Sequence, residues 1–169
     1  MNTHLKIRAD LLKAIREDLD RPHCFARERV GFVFANLSRL GEGALMILAR
    51  IYATVDDKDY IDDPNVGAMM GPAAIRKALQ LAYQTRTAAL HVHMHGHAGR
   101  PAFSGIDLRE NAKFVPNFFN VAPRVAHGAV VLSRNSAAGQ LWLKASAPPI
   151  VISRFSAIGA PLGLNGVFQ

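Results

Sequence analysis

The stretch TAALHVHMHGHAGRPAFSGID, residues 87–107, opens as an apolar run and then places a histidine at every second position. Alternate residues of a β-strand point to the same side of the sheet, roughly 7 Å apart, so this pattern predicts a strand over Thr87–His95. On that strand the histidines face one way, and Leu90, Val92 and Met94 face the other. A row of imidazoles along one side is difficult to explain by packing alone, and it predicts a metal site. The histidines are His91, His93, His95 and His97.

Helix and strand patterns alternate on both sides of this strand, which is typical of a mixed sheet with helices packed on it. Asp10 is placed to cap an opening helix with an apolar face, and Pro22 ends that helix. The Gly-rich segment 156–169 is predicted to be a loosely held tail. The order of the predicted helices and strands indicates a single α/β (α+β) domain over residues 1–169. The other predicted elements are strands over 28–37 and 44–55, helices over 71–84 and 105–114, a hairpin of strands 127–133 and 139–145, and a strand over 150–155.

The composition suits one globular domain, because 50% of the 169 residues are hydrophobic and 20% are charged. No apolar run reaches the roughly 20 residues of a membrane span, and the N-terminal residues lack the apolar core of a secretory signal. We therefore expect a cytoplasmic protein with no membrane partner. A single cysteine, Cys24, excludes an internal disulfide and a zinc site built on several thiolates.

The formal net charge of +7 permits an acidic partner but does not by itself indicate nucleic-acid binding. Lys and Arg are scattered along the chain, and no stretch interleaves aromatic and basic residues as single-strand binders do. We expect no nucleic-acid partner. The acidic, turn-rich segment Asp56–Gly67 is predicted to be a loop and a candidate contact surface, and its spacing does not match a calcium-binding EF-hand loop.

Two histidines spaced His-x-His on one strand can chelate one zinc ion, which accepts imidazole nitrogens and carboxylate oxygens. A catalytic zinc site needs three protein ligands and leaves a fourth position for water. Asp107 is the candidate for the third ligand, because the segment after the strand can turn back and present it. A carboxylate outside the ligand set is needed as a proton acceptor, and Glu28 at the start of a buried strand is a candidate for this role.

Ser104 and Asp107 form the pattern Ser-x-x-Asp directly before a predicted helix. This spacing is typical of a helix capping box, in which each side chain bonds to the backbone of the other residue. A capping role and a role at the metal are compatible, because Ser104 can cap the helix and still direct its hydroxyl at the site.

These residues together resemble the motif of the JAB/MPN metalloproteases, also called JAMM proteases. That motif consists of Glu-x-x-Gly on an early strand, then His-x-His, then Ser-x-x-Asp. Here its parts are Glu28 in ERVG, a pair of histidines in HVHMH, and SGID from Ser104 to Asp107. The resemblance is strongest over residues 28–143, where FVPNFF and HGAVVLS look like the helix and strand that follow the site in bacterial members. It implies an MPN-like domain with a mixed, curved sheet flanked by helices.

The resemblance implies a zinc-dependent peptidase or isopeptidase with one Zn²⁺ per chain. Family members commonly release ubiquitin or ubiquitin-like proteins from conjugates, and bacterial relatives often act beside enzymes resembling ubiquitin activators and conjugators. By the resemblance, two histidines and Asp107 hold the zinc, Glu28 accepts and passes on a proton, and Ser104 donates a hydrogen bond to the oxyanion. A non-catalytic MPN scaffold is the alternative, although no motif position is lost here. A zinc deaminase is excluded, because His-x-Glu and Pro-Cys-x-x-Cys are absent.

The identity of the metal-binding histidine pair depends on the length of the loop before Ser104. With His93 and His95 as the pair, eight residues separate the second histidine from Ser104, one more than is usual in the family. With His91 and His93 that number is ten, whereas the pair His95 and His97 would place a glycine inside the strand. We expect His93 and His95 to be the ligands, with His91 and His93 as the alternative. His91 could then orient one of the metal ligands without itself binding the metal, and His97 could lie at the mouth of the site.

Overall fold

A computed structural model describes residues 1–41, 43–63 and 67–159, and it confirms the predicted α+β class. No helix among these residues is long and apolar enough to cross a membrane. The strands are β1 (Asn2–Arg8), β2 (Val30–Leu40), β3 (Ala44–Thr54), β4 (Tyr60–Ile61), β5 (Met69–Met70), β6 (Ala88–Met94), β7 (His127–Leu132), β8 (Ala137–Trp142), β9 (Ile150–Val151) and β10 (Arg154–Ile158). The helices are α1 (Ala9–Leu19), α2 (Pro72–Thr85) and α3 (Gly105–Phe114), with short 3-10 helices at Asp57–Asp59 and Val115–Asn120.

Eight of the strands form one mixed sheet in the order β10-β1-β3-β2-β6-β7-β8-β9, while β4 and β5 pair separately. β1 is parallel to both β10 and β3, β6 is parallel to β7, and the other neighbours are antiparallel. The sheet curls until its two ends are linked. The Thr3 hydroxyl donates to the Val151 carbonyl at 2.8 Å, and the Ser153 amide donates to the Thr3 carbonyl at 3.0 Å. The sheet is therefore curved, with the fully buried Thr3 at the junction.

The N-terminal segment contains a strand, β1, that the sequence pattern did not predict. α1 confirms the predicted opening helix, but it begins directly after β1, and its N-cap is Arg8 without a side-chain cap bond. The prediction that Asp10 caps the helix is wrong, because Asp10 lies in the first turn and accepts a bond from the Arg8 guanidinium at 2.9 Å. β1 gives only a weak local signal, since Leu5 and Ile7 are its main buried apolar residues and its strand partners lie far away in sequence.

The C-terminal segment also differs from its prediction. The loose tail predicted over 156–169 is wrong for its first residues, because these belong to β10, which pairs with β1. The single strand predicted over 150–155 is divided, since β9 pairs with β8 at one edge of the sheet and β10 lies at the other edge. Residues 160–169 lie outside the described residues, so for them the tail stays a prediction.

The segment predicted as the loop Asp56–Gly67 contains a 3-10 helix and β4, and residues 64–66 lie outside the described residues. Three of its carboxylates have partners within the protein. Lys77 contacts Asp56 at 2.6 Å and Asp59 at 2.5 Å, and Arg29 contacts Asp57 at 2.7 Å. This pairing reduces the negative charge that the segment offers to a partner.

The core lies on both faces of the sheet, and alternate residues of the central strands supply the two sides. On one face, Leu90 and Val92 of β6 join Ile15 of α1 in an apolar cluster. On the other face, Phe32 of β2 packs with α2 residues and with the 3-10 helix that follows α3. The ring of His91 contacts Phe32, so the histidines of β6 point to this second face.

Gly31, the glycine of the Glu-x-x-Gly pattern, packs against the ring of Tyr52 on the neighbouring strand. A Cβ atom at Gly31 would lie 2.5 Å from the Tyr52 Cε2 and would also overlap Oη. Tyr52 is held in place, because its hydroxyl donates to Asp18 at 2.5 Å. We expect Gly31→Ala to lower the free energy of unfolding by about 1–3 kcal/mol in urea denaturation. Gly96→Ala is the control, since its Cβ would meet nothing within 4 Å, and an equal loss in both variants would contradict the packing argument.

Candidate metal centre

The structure brings together three of the predicted site residues, His93, His95 and Asp107. One potential ligand atom from each lies within 4.8 Å of those of the other two. His93 is buried, whereas His95 and Asp107 are half-buried, so one side of the group is accessible. The pair favoured from the sequence, His93 and His95, is the one in this group, and His91 is not part of it.

Strand β6 holds the two histidines on the same side of the sheet. His93 lies within the sheet, opposite Val30 of β2 and Val131 of β7. His95 follows the last residue of the strand, but its amide still donates to the Leu132 carbonyl at 2.9 Å, which continues the strand direction. The two imidazole centroids are 5.1 Å apart. The His-x-His spacing therefore places both rings next to one another, as expected for residues two apart on a strand.

The start of α3 fixes the carboxylate of Asp107. The Ser104 amide donates to Asp107 Oδ2 at 2.7 Å, and the Asp107 amide donates to Ser104 Oγ at 3.1 Å. These two bonds form the capping box predicted from Ser-x-x-Asp. Asp107 Oδ2 lies 3.6 Å from His93 Nε2, so the capping box also directs this oxygen to the histidine pair. Ser104 is exposed, and the hydrogen of its hydroxyl is not used by the capping bond.

The donor set fits a zinc ion. His93 Nε2 is buried and has no hydrogen-bond partner, and its distance of 3.6 Å to Asp107 Oδ2 is too long for a hydrogen bond. Two atoms that each lie about 2.0–2.2 Å from a tetrahedral zinc are roughly 3.3–3.6 Å apart, which matches this separation. Burial lowers the pKa of His93 more than the charge of Asp107 raises it. The ring is thus held in the neutral form that binds metals.

Glu28 lies beside the triad but outside its ligand set. It precedes β2, which begins two residues later than predicted, and it is half-buried. Burial raises the pKa of the Glu28 carboxyl; the Asp107 charge also raises it, and His95 opposes the shift. Gly67 packs against this side chain, since a Cβ on that glycine would lie 3.1 Å from Glu28 Oε2. A half-buried carboxyl with a raised pKa is a stronger proton acceptor than an exposed one, which suits it to act as a general base.

His91 and His97 flank the triad without joining it. His91 Nδ1 is 3.2 Å from Asn111 Oδ1, and burial together with His93 lowers the pKa of His91 to about 4. Its Nδ1 therefore pairs with Asn111, and its Nε2 is buried without a hydrogen-bond partner among the described residues, so the expected hydrogen bond from His91 to a ligand is not formed. His97 is exposed, and its ring centroid lies 5.6 Å from that of His95, which agrees with a position at the mouth of the site.

Two neighbours of the site were not anticipated from the sequence. Asn111 is buried, and its position four residues after Asp107 on α3 places both on one helix face. Phe103 packs near His93, with ring centroids 6.0 Å apart. The helical spacing was a usable signal for Asn111, whereas Phe103 stands in a loop without a periodic pattern.

Comparisons with known proteins add little to this geometry. A scan against protein-family models and a search of curated proteins both found no match. Among solved structures, the chain is similar to the Trichoplax adhaerens STIL N-terminal domain, with 9% sequence identity and a TM-score of 0.39. That similarity covers 81% of this chain and 41% of the other, so the chain spans less than half of that structure's length. A likeness this distant says nothing about the chemistry of the site.

Proposed function

We propose that the chain is a zinc-dependent peptidase of the JAB/MPN type that hydrolyses an amide or isopeptide bond and releases a ubiquitin-like protein from its conjugates. The observation that supports this best is the triad of His93, His95 and Asp107, with the half-buried Glu28 beside it and outside the ligand set. Hydrolysis at zinc needs this combination of three protein ligands and a separate proton acceptor.

Zn²⁺ held by the triad would supply Lewis-acid chemistry and would lower the pKa of its bound water towards 7. The Glu28 carboxylate accepts the proton of the attacking water and delivers it to the leaving amine. The raised pKa of Glu28 suits the first step, because a more basic carboxylate accepts a proton more strongly. Ser104 donates its hydroxyl hydrogen to the developing oxyanion while its Oγ accepts the Asp107 amide.

The proposed substrate is a conjugate in which the C-terminus of a ubiquitin-like protein is joined to an amine. The enzymes that form such a conjugate would be relatives of ubiquitin-activating and ubiquitin-conjugating enzymes, and they would act beside this chain in the cytoplasm. The net charge of +7 favours an acidic surface on the substrate, because complementary charge speeds encounter.

The experiment is a zinc and turnover measurement on the purified chain. We expect one zinc per chain by atomic emission, and zinc-dependent cleavage of a ubiquitin-like protein joined through an isopeptide bond to a fluorescent lysine peptide. Removal of the metal with 1,10-phenanthroline should abolish cleavage, and added Zn²⁺ should restore it. The reason is that hydrolysis depends on the Lewis acid that zinc supplies. A chain that takes up no zinc would refute the proposal, and a zinc-loaded chain that cleaves no conjugate would favour the non-catalytic scaffold.

A further inference from the structure

Asn111 connects the helix that carries Asp107 to the strand that carries the histidine pair. Of the ten described residues of α3, Asn111 is the only one that is buried, with 3% of its surface exposed. Its Oδ1 lies 3.2 Å from His91 Nδ1, so a hydrogen bond joins α3 to β6. The most buried position of α3 is therefore polar, whereas an amphipathic helix ordinarily has an apolar residue where it meets the sheet.

The spacing along the two elements places this hydrogen bond beside the metal triad. His91 and His93 are two residues apart on β6, and their ring centroids are separated by 6.2 Å. Asn111 and Asp107 are four residues apart on α3, which corresponds to about 6 Å along a helix. The His91 contact of 3.2 Å and the 3.6 Å between His93 Nε2 and Asp107 Oδ2 are therefore neighbouring links between the same strand and the same helix. A shift of α3 that breaks the first link also changes the second.

The pair of His91 and Asn111 is costly as a purely structural contact. His91 Nε2 and Asn111 Nδ2 are both buried and have no hydrogen-bond partner among the described residues. The surroundings are aromatic, since the His91 ring centroid lies 5.7 Å from that of Phe32 and 5.9 Å from that of Phe114. Unpartnered buried polar atoms destabilise a fold, and an apolar pair of the same shape can be neutral or stabilising in their place. An apolar pair would pack α3 against β6 equally well, but it would lack the directional bond.

We propose that Asn111 and His91 are positioning residues for the metal, and that their hydrogen bond holds Asp107 at the distance from β6 at which it can share one Zn²⁺ with the histidine pair. Both residues lie outside the triad, and they act on Asp107 through the helix. Ligand atoms that are already held at the required separation lose less conformational freedom when the ion binds, which raises the affinity. The inference rests on the metal site of the proposed function and is independent of the peptidase activity.

Zinc affinity and folding stability of the full chain, measured side by side, test the proposal. The variants are Asn111→Leu and the double variant His91→Phe/Asn111→Leu, which replaces both partners by apolar side chains of similar shape. We expect the zinc affinity, from competition with a chromophoric chelator, to fall about tenfold in each variant, because both lack the same bond. Urea denaturation of the zinc-free protein should find the double variant at least as stable as the unaltered chain, because it leaves no polar atom of the pair without a partner. A merely structural pair would lose stability and zinc affinity together.

Cobalt substitution adds a readout of the ligand geometry. The visible absorption of Co²⁺ is strong in a tetrahedral site and weaker when additional water molecules bind, so we expect the double variant to lose intensity as the Asp107 carboxylate is misplaced. Asn117→Leu is the matched control. Asn117 is exposed, its amide donates to the Lys113 carbonyl, and it lies outside the triad, so both the zinc affinity and the cobalt spectrum should stay those of the unaltered chain.

The outcomes separate the positioning role from the metal site itself. Unchanged zinc affinity in the folded double variant would overturn the positioning role while the metal site stands. Recovery of zinc affinity in the double variant relative to Asn111→Leu would also overturn it, because affinity would then follow stability and not the hydrogen bond. If the double variant does not fold, Asn111→Ala takes its place, and unchanged zinc affinity in that variant would overturn the role. An unaltered chain that binds no zinc would refute the metal site and this inference with it.

Discussion

Glu28→Gln is expected to slow hydrolysis by roughly 10²–10⁴-fold and to leave the zinc content unchanged, under the proposed function. Gln has the same size as Glu, so the contact with Gly67 is kept, but its carboxamide cannot accept a proton. Glu28 also lies outside the group of potential metal ligands. The loss should therefore appear in kcat, and atomic emission should still find one zinc per chain.

The control for this variant is Glu110→Gln on α3. Glu110 is exposed and accepts a bond from Lys113 at 2.9 Å, and it is not part of the triad, so its replacement should change kcat little. Full activity of Glu28→Gln would mean that another group accepts the proton. Loss of zinc together with activity would show that Glu28 holds the metal, and the division of roles between ligands and proton acceptor would then be wrong.

The triad was predictable because its signals are local. On a strand, two residues two apart necessarily share a side, which brings His93 next to His95 without any knowledge of the rest of the fold. Ser104 and Asp107 likewise meet because the capping box depends only on their spacing at a helix start. Local spacing therefore predicts the geometry of each half of the triad.

The meeting of the two halves depends on tertiary structure. The loop 96–103 sets how far α3 returns towards β6, and its length alone did not decide between His91 and His95 as the second ligand. Burial raises the pKa of Glu28, and Gly67, distant in sequence, is one of the residues that lie against its side chain. Contacts of this kind leave no periodic pattern in the sequence.

The ends of the chain were the least predictable part of the fold. β1 and β10 pair in parallel although they stand near opposite ends of the sequence, and parallel pairing gives no turn signal between its partners. β10 begins only three residues after β9, yet the two strands lie at opposite edges of the sheet order and meet through its curvature. The hydrogen bonds of Thr3 that link these ends join residues that are far apart in sequence, and no local rule anticipates them.

The second large effect is expected for His93→Ala, which should weaken zinc binding by more than about 10²-fold. Removal of a residue that merely supports a ligand already costs about 10–100-fold in metal affinity, so loss of a ligand itself should cost more. His93 is also the buried member of the triad, and its unpartnered Nε2 lies 3.6 Å from Asp107 Oδ2. Competition with a chromophoric chelator measures the zinc affinity directly, and it does not require a substrate.

The same affinity measurement on alanine variants of the other histidines identifies the pair that binds the metal. His95→Ala should match the loss seen for His93→Ala, because both rings belong to the triad. His91→Ala should cost at most about tenfold, since its hydrogen bond goes to Asn111, and His97→Ala should change little because that ring is exposed and outside the group. A large loss in His91→Ala with a small one in His95→Ala would instead assign the metal to His91 and His93. The ring of His95 would then lie beside the zinc without binding it, and the additional loop residue before Ser104 would need another explanation.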